Sequence, residues 1–360
     1  MIKELNKENL ILKLSDGCKV KAKWKIGTEH EKFGFKKNDL SPITFDDIQK
    51  IFSNLSSNFK WEKIFEKDKI IELRKNKSSI TLEPGGQIEL SGAPFSNLFQ
   101  TCKEVNSHQD ELNKVCKNLN IQFMGIGVLP KWEVVDLPSM PKERYNIMRR
   151  YMPKVGKNGI DMMLRTTTIQ ANFDYSSEED MVKKFRVAQS IQPLVIALYA
   201  NSPFIGGKLT EYSSYRSYIW TETDNDRCGI LPFVYDKSFS FERYVDYLLD
   251  VPMYFVVRNS NYIDLTGKSF RDFLTKNIKG IDIEPKIDDW EMHMTTVFPE
   301  VRLKSFIELR GADGGPWSRV CALPAFWTGI LYDENVLNEV SDIIKSWSYN
   351  DVMNFYEYSR

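Results

Sequence analysis

Several stretches of this chain alternate between apolar and charged residues with the two-residue period of a β-strand. In KAKWKIGTEHEKFGF (21–35), Trp24 and Ile26 point one way, while Lys25, Gly27, Glu29 and Glu31 point the other. Residues 77–91 read as two strand pieces around the turn Pro84-Gly85-Gly86, with Glu83 and Glu89 flanking it. In SFIELR (305–310), Glu308 and Arg310 share one side and Ile307 and Leu309 the other. Successive side chains of a strand leave on opposite faces. Each strand therefore offers an apolar side to a core and an acidic side to something else.

Several glutamates on one sheet face repel one another, and their pKa values rise. A hard cation resolves the conflict: Mg²⁺ takes oxygen ligands and is commonly shared with nucleotide phosphates. An arginine among the glutamates suits a phosphoryl group in transfer, because its planar fork spreads positive charge over phosphate oxygens. A solvated face with surface salt bridges accounts for any single E-x-E pair. The combined set, with Gly-rich turns beside it, favours a site. The sequence has no G-x-x-x-x-G-K-[ST], no G-x-G-x-x-G at a strand–helix junction and no G-x-S-x-G. If ATP is used, a sheet carrying metal-bridging glutamates must hold it.

Elsewhere the periodicity predicts a peripheral helical or irregular segment over 1–20 and a helix over 44–59 with Thr44 as N-cap. A helix is expected from Ser96 to about Leu119, another over 141–152, and one capped by Ser176 or Ser177 that runs to about Ala200 with a distortion near Pro193. Strands are expected over 121–129, 161–174, 252–258 and 305–310, and helix over 333–360. In the second half of 161–174, Ile169, Ala171 and Phe173 face one way and Thr168, Gln170 and Asn172 the other. The length of 360 residues allows two lobes or one large α+β domain. Lys+Arg and Asp+Glu both number 49, which argues against a dominant electrostatic grip on nucleic acid or anionic membrane. There is no run of about 18 apolar residues and no long apolar core of a secretory signal at the N-terminus, so a cytoplasmic enzyme is expected. The five cysteines are scattered, without C-x-x-C or zinc spacing, and the three histidines are dispersed.

KIGTEHEKFGF (25–35), TLEPGGQIELSGAP (81–94), the long run 141–186, ANSPF (200–204), SYRSYIWTETDNDRCGILPFVYD (214–236), YVDYLLDVPMYF (244–255) and the run 295–333 together resemble plant-type glutamate–cysteine ligase, a group found in plants and α-proteobacteria. The resemblance covers roughly residues 20–335. It implies an α+β fold: a curved, mainly antiparallel sheet forming a glutamine-synthetase-like funnel with helices outside, as one catalytic domain over 1–360. It also implies a C-terminal helical region longer than the one here.

The implied reaction joins the γ-carboxylate of glutamate to the amine of cysteine through γ-glutamyl phosphate, the first step of glutathione biosynthesis. ATP would be co-substrate, with two or three Mg²⁺ ions and a monomer or homodimer. Carried over residue by residue, Glu29, Glu31, Glu83, Glu89 and Glu308 match metal-binding positions, and Glu308 and Arg310 the catalytic ones, Arg310 steadying the phosphoryl group. Arg144 and Arg216 match positions for substrate carboxylates. Thr168, Trp220 and Tyr254 match positions lining the amino-acid pockets, and Gln170 and Asn172 share the polar face of Thr168. Cys102 and Cys321 fall where plant relatives carry a disulfide; Leu265 replaces one partner of the second plant pair. A ligase with another amine acceptor and a non-catalytic ligand-binding homologue are the competing expectations.

Overall fold

The structure, a computed structural model, describes residues 5–360. Nine strands form one sheet: β1 (Ile26–Lys36), β2 (Glu62–Glu66), β3 (Lys69–Lys75), β4 (Ser78–Leu82), β5 (Ile88–Ser91), β6 (Ile121–Met124), β7 (Thr168–Phe173), β8 (Val301–Leu303) and β9 (Ile307–Asp313). Their spatial order is β8-β9-β7-β1-β5-β4-β3-β2, with β6 pairing the far half of β1. Every pairing in it is antiparallel, and the sheet is open at both ends. The α+β, mainly antiparallel reading of the sequence holds.

Thirteen helices are described: α1 (Lys7–Ser15), α2 (Phe45–Phe59), α3 (Leu98–Lys117), α4 (Glu143–Val155), α5 (Gly159–Arg165), α6 (Glu178–Tyr199), α7 (Tyr215–Thr221), α8 (Phe241–Asp250), α9 (Phe270–Leu274), α10 (Ile287–Met294), α11 (Trp317–Leu331), α12 (Glu334–Ile344) and α13 (Tyr349–Tyr358). The starts of three follow local chemistry visible in the chain. Thr44 caps α2 in a reciprocal box with Asp47, Asn97 accepts from the Gln100 amide, and Ser177, rather than Ser176, accepts from the Asp180 amide.

One face of the sheet is mostly apolar, the exceptions being the buried Thr28, His30 and Lys32 of β1. Leu73, Ile80, Leu82, Ile88, Leu90, Ile169, Ala171, Phe173, Ile307 and Leu309 are each at most 1% exposed. Burial of one such side chain stabilises by about 1.5–3 kcal/mol. On this face α3 packs on β1, α11 on β7 and β1, and α6 on β9.

Two expected strands are corrected. Residues 161–165 belong to α5. Met162, Met163 and Leu164 are helix formers, Asp161 pairs with Arg165 one turn on at 2.8 Å, and the β-branched run begins only at Thr166. The strand expected over 121–129 stops at Met124, because the chain then packs against the end of β9. A methyl on Gly125 would lie 2.0 Å from the Gly315 carbonyl oxygen, and one on Gly127 2.4 Å from Asp313. Strands β2 and β3 and helices α7, α8, α10 and α11 lie where the periodicity gave no element.

The turn joining β4 to β5 is locked from outside. The Gln87 side chain accepts from the Gly85 amide at 2.8 Å and donates to the carbonyls of Met163 and Thr166. Gly86 sits at φ +85°, and a methyl on Gly85 would lie 2.2 Å from the Leu164 carbonyl oxygen. Gly85→Ala is expected to destabilise the protein by about 1–3 kcal/mol in urea denaturation, the usual cost of overpacking. Gly329→Ala, in α11 with nothing within 4 Å of the new methyl, is expected to be neutral or slightly stabilising. Equal behaviour of the two variants would remove the lock.

Candidate active site

The polar face of the sheet is ordered by strand register. Glu72 on β3 lies opposite Thr81 on β4, Thr81 opposite Glu89 on β5, and Glu89 opposite Glu31 on β1. A second row runs from Ser91 on β5 through Glu29 on β1 to Gln170 on β7. Directly opposed residues sit roughly 5 Å apart, so Glu31 and Glu89 are like charges in contact range. Glu83 joins them from the turn after β4, and Thr81 Oγ1 lies 3.0 Å from Glu83 and 3.2 Å from Glu89.

Above this face opens a cavity of about 460 Å³. Of the residues singled out in the sequence, Glu29, Glu31, Glu83, Glu89, Thr168, Gln170, Arg144, Arg216, Trp220 and Arg310 line it. Arg216 is 3% exposed, and its guanidinium donates to the carbonyls of Arg310 at 3.0 Å and Gly311 at 3.2 Å. Among the described residues, buried N–H groups of this wall without a hydrogen-bond partner are Nε of Arg144, Nε of Arg216 and the indole Nε1 of Trp220. Buried donors are normally satisfied, so this part of the wall suits an anionic or carbonyl-bearing ligand.

The opposite end is cationic. Arg302 on β8 faces Glu308 on β9 across a hairpin. It binds the Glu308 carboxylate through two nitrogens, at 2.6 and 2.9 Å. Arg310 Nη1 reaches the same carboxylate at 2.5 Å and Gln170 Oε1 at 2.6 Å. Lys304 Nζ lies 3.0 Å from it. These cations hold the Glu308 carboxyl well below the usual carboxylate range despite full burial. Glu308 therefore departs from the expectation. It does not line the cavity, and both its oxygens are taken by neighbouring cations, so here it is the anchor of a cation cluster rather than an open metal ligand.

The acidic wall has the contrary electrostatics. Burial, with Glu83 beside it, pushes Glu31 up to about 8, opposed by Arg216 and the Thr168 amide, which donates at 3.0 Å. Burial and then Glu83, Glu29 and Glu31 raise Glu89 well above its ordinary value. Among the described residues, none of Glu29, Glu31, Glu83 and Glu89 forms an ion pair with a basic side chain. Nor is any group of three or more His, Cys, Asp or Glu side chains arranged there to hold a metal ion. The convergence of acids from separate strands that the sequence led us to expect is present on one cavity wall, without a ready-made metal cage among the described residues. The donor set still fits a hard divalent cation: carboxylate oxygens in excess, crowded and unneutralised.

Two more expectations are revised, and the cysteine pair is placed. Tyr254 is 1% exposed and outside the cavity; its ring lies 4.1 Å from the Arg227 guanidinium and its hydroxyl 3.6 Å from Met152 Sδ, so it is a core aromatic. Asn172 does not line the cavity but donates to Glu29 Oε1 at 2.8 Å, fixing that carboxylate. Cys102 and Cys321 adjoin, on α3 and α11, yet both are free thiols, and burial with Cys102 alongside pushes Cys321 up to about 12.

The sequence reading missed Glu66, Glu72, Lys142, Tyr145, Arg302 and Lys304, all on the cavity wall. Glu72 was legible in the alternation of KIIELRK (69–75). Arg302 was legible as the basic partner placed symmetrically to Glu308 about the hairpin turn.

The sign of the Glu31 shift makes a pH prediction. The unfolded chain ionises a glutamate near pH 4.3, whereas the folded protein keeps this proton to about pH 8. Between those limits the unfolded state binds fewer protons, so Glu31 lowers stability as pH rises. Glu31→Gln, which mimics the protonated form, should be more stable than the parent near pH 8 by on the order of 1 kcal/mol or more, each pKa unit being about 1.4 kcal/mol. Urea denaturation across this range would show the gap widening with pH; a gap that narrows would contradict the assignment.

Comparisons with known proteins identify the family. The family model described as Glutamate-cysteine ligase family 2 (GCS2) matches residues 25–357. The chain is 57% identical over 345 residues to the chloroplastic glutamate–cysteine ligase of Brassica juncea, covering 96% of this chain and 67% of that protein. It is 57% identical over 349 residues to chloroplastic glutamate–cysteine ligase B of Oryza sativa subsp. japonica, covering 97% and 70%. A crystal structure of glutamate–cysteine ligase from Francisella tularensis in complex with AMP aligns with a TM-score of 0.47 at 12% identity, over 90% of this chain and 70% of that one. The plant relatives are chloroplastic, which contradicts the cytoplasmic location expected from the sequence. With a family match across nearly its whole length and an acid-and-cation cavity at the centre of its sheet, the chain belongs to glutamate–cysteine ligase family 2.

Proposed function

We propose that the protein, acting as one catalytic domain, ligates the γ-carboxylate of glutamate to the amine of cysteine at the expense of ATP. The observation that carries this is the separation of charge inside one cavity. Unpaired carboxylates stand on β1, on β5 and in the turn before β5, and a surplus of cations stands around Glu308. A nucleotide's phosphates, a divalent ion and a carboxylate substrate together supply what each end lacks.

Glu29, Glu31, Glu83 and Glu89 would hold Mg²⁺, which when bound neutralises phosphate charge and aligns the reacting oxygens. The protein's own groups do the rest. Arg310 lines the cavity and has Nη1 committed to Glu308 and Gln170, which leaves its other guanidinium nitrogens to act as phosphoryl donors. In the first step the γ-carboxylate oxygen bonds to the γ-phosphorus as the bond to the bridging oxygen breaks; the electron pair leaves on ADP and no proton moves. In the second, the free amine of cysteine attacks the acyl phosphate, the amide forms, and the amine proton leaves with inorganic phosphate. Arg144, Arg216 and Trp220 offer their unpartnered N–H groups to the amino-acid substrates. The wall they share with Met148, Met162, Met163 and Phe298 excludes water from the acyl phosphate.

Purified protein should release ADP only when glutamate and cysteine are both present, with γ-glutamylcysteine identified by mass spectrometry, and chelation of divalent cations should stop it. Arg310→Ala and Glu29→Gln should each lower kcat by about 100-fold or more, with little change in melting temperature. Release of ADP with another amine but not cysteine would reassign the acceptor; ligand binding without turnover would reduce the protein to a sensor.

A further inference from the structure

Beyond its charge beside Glu308, Lys304 has no part in the reaction described so far. It sits in the turn between β8 and β9, where its amide donates to the Phe306 carbonyl at 2.8 Å, and its side chain is 21% exposed on the cavity wall. The Glu308 carboxylate it touches is already well provided for. Arg302 engages both of its oxygens and is itself pinned by the carbonyls of Thr295 at 3.2 Å and Val297 at 2.9 Å. Arg310 is pinned by Gln170.

One negative charge thus faces three cations, which leaves two positive charges uncompensated within the cluster. A buried surplus of that kind is costly unless an anion arrives to share it. The two arginines are tied down by protein acceptors. Lys304 is the member on a turn: its ammonium pairs with Glu308 Oε2 at 3.0 Å and lies 4.9 Å from the centre of the Phe306 ring, with no hydrogen bond to a further protein group among the described residues. An ammonium has three donors; with one on Glu308 and the Phe306 ring beside it, donor capacity remains for the cavity that Lys304 lines.

We infer that Lys304 is a further catalytic residue: its ammonium, tethered on Glu308, contacts the phosphoryl group during transfer, beside Arg310. As the γ-phosphoryl group leaves ADP for the carboxylate oxygen, negative charge gathers on its equatorial oxygens and on the bridging oxygen. A compact point charge that can pivot about one carboxylate oxygen can follow that charge, whereas the forked and doubly anchored Arg302 cannot. The inference rests on the ligase reading above and goes beyond it in naming the second cation.

The test uses the full chain and the variants Lys304→Met and Lys304→Arg. Lys304→Met should lower kcat by about 100-fold, while KM for glutamate and the Kd for ADP stay within about threefold. Lys304→Arg should restore most of the loss. In the parent, aluminium fluoride, a mimic of the phosphoryl group in flight, should tighten ADP binding in the presence of glutamate, and Lys304→Met should lose that tightening. A merely structural lysine would leave the tightening intact and show its loss in melting temperature instead. A Lys304→Met variant that turns over within about threefold of the parent, or that keeps the aluminium fluoride effect, overturns the role. No turnover in the parent protein overturns the ligase reading itself, so the two failures are distinct.

Discussion

Everything at this site depends on strand register. Glu89 and Glu31 face each other across β5 and β1, an arrangement that like charges resist. It persists because the same register buries Ile88 and Leu90 on the reverse side, with Ile80 and Leu82 beside them on β4, all fully buried. A slip of one residue would send the carboxylates into the apolar layer and these side chains into water. The hydrophobic face therefore fixes the geometry of the charged one, and the electrostatic penalty is carried by the packing behind it. The same penalty shows in Glu89, whose pKa is raised by burial and then by Glu83, Glu29 and Glu31.

Between the acids and the cations stands β7. Its polar face is neutral throughout: Thr168, Gln170 and Asn172. Each of the three nonetheless speaks to a charged neighbour. The Thr168 amide donates to Glu31, the Asn172 amide group to Glu29, and the Gln170 oxygen accepts from Arg310. The strand insulates and positions at once. Were it to carry a charge, that charge would pair with the oppositely charged end beside it and take up capacity left for phosphates or a metal ion.

Much of this was legible in the chain, and the parts that were not share a cause. The alternation around Glu29 and Glu31, the turn at Pro84-Gly85-Gly86 and the polar face of 168–172 are local patterns, and local patterns survive folding. The caps at Thr44 and Ser177 survived for the same reason. The failures concern what neighbours decide. DMMLR (161–165) has no strand propensity of its own and was extended backward from a true strand. Gly125 and Gly127 end β6 because residues 313–315 lie against them, a contact remote in sequence. Tyr254 looked like a pocket aromatic, and what makes it core is Arg227, stacked on its ring and paired with Asp224 at 2.6 Å.

Glu308 is the most instructive of these. Its strand, spacing and company match Glu29 and Glu31, and nothing within SFIELR separates it from them. The difference comes from across the hairpin, where the paired residue is Arg302 rather than a second acid or a serine. Opposed to Arg302, the carboxylate is spent before any ligand arrives, and its remaining capacity goes to aiming Arg310 two residues along the same strand. An acid on this sheet is thus a wall group or an anchor according to its cross-strand partner. Glu31 faces Glu89 and stays unpaired; Glu308 faces Arg302 and becomes the pivot of the cationic end. The same residue type on one sheet face builds both poles of the cavity, and register decides which.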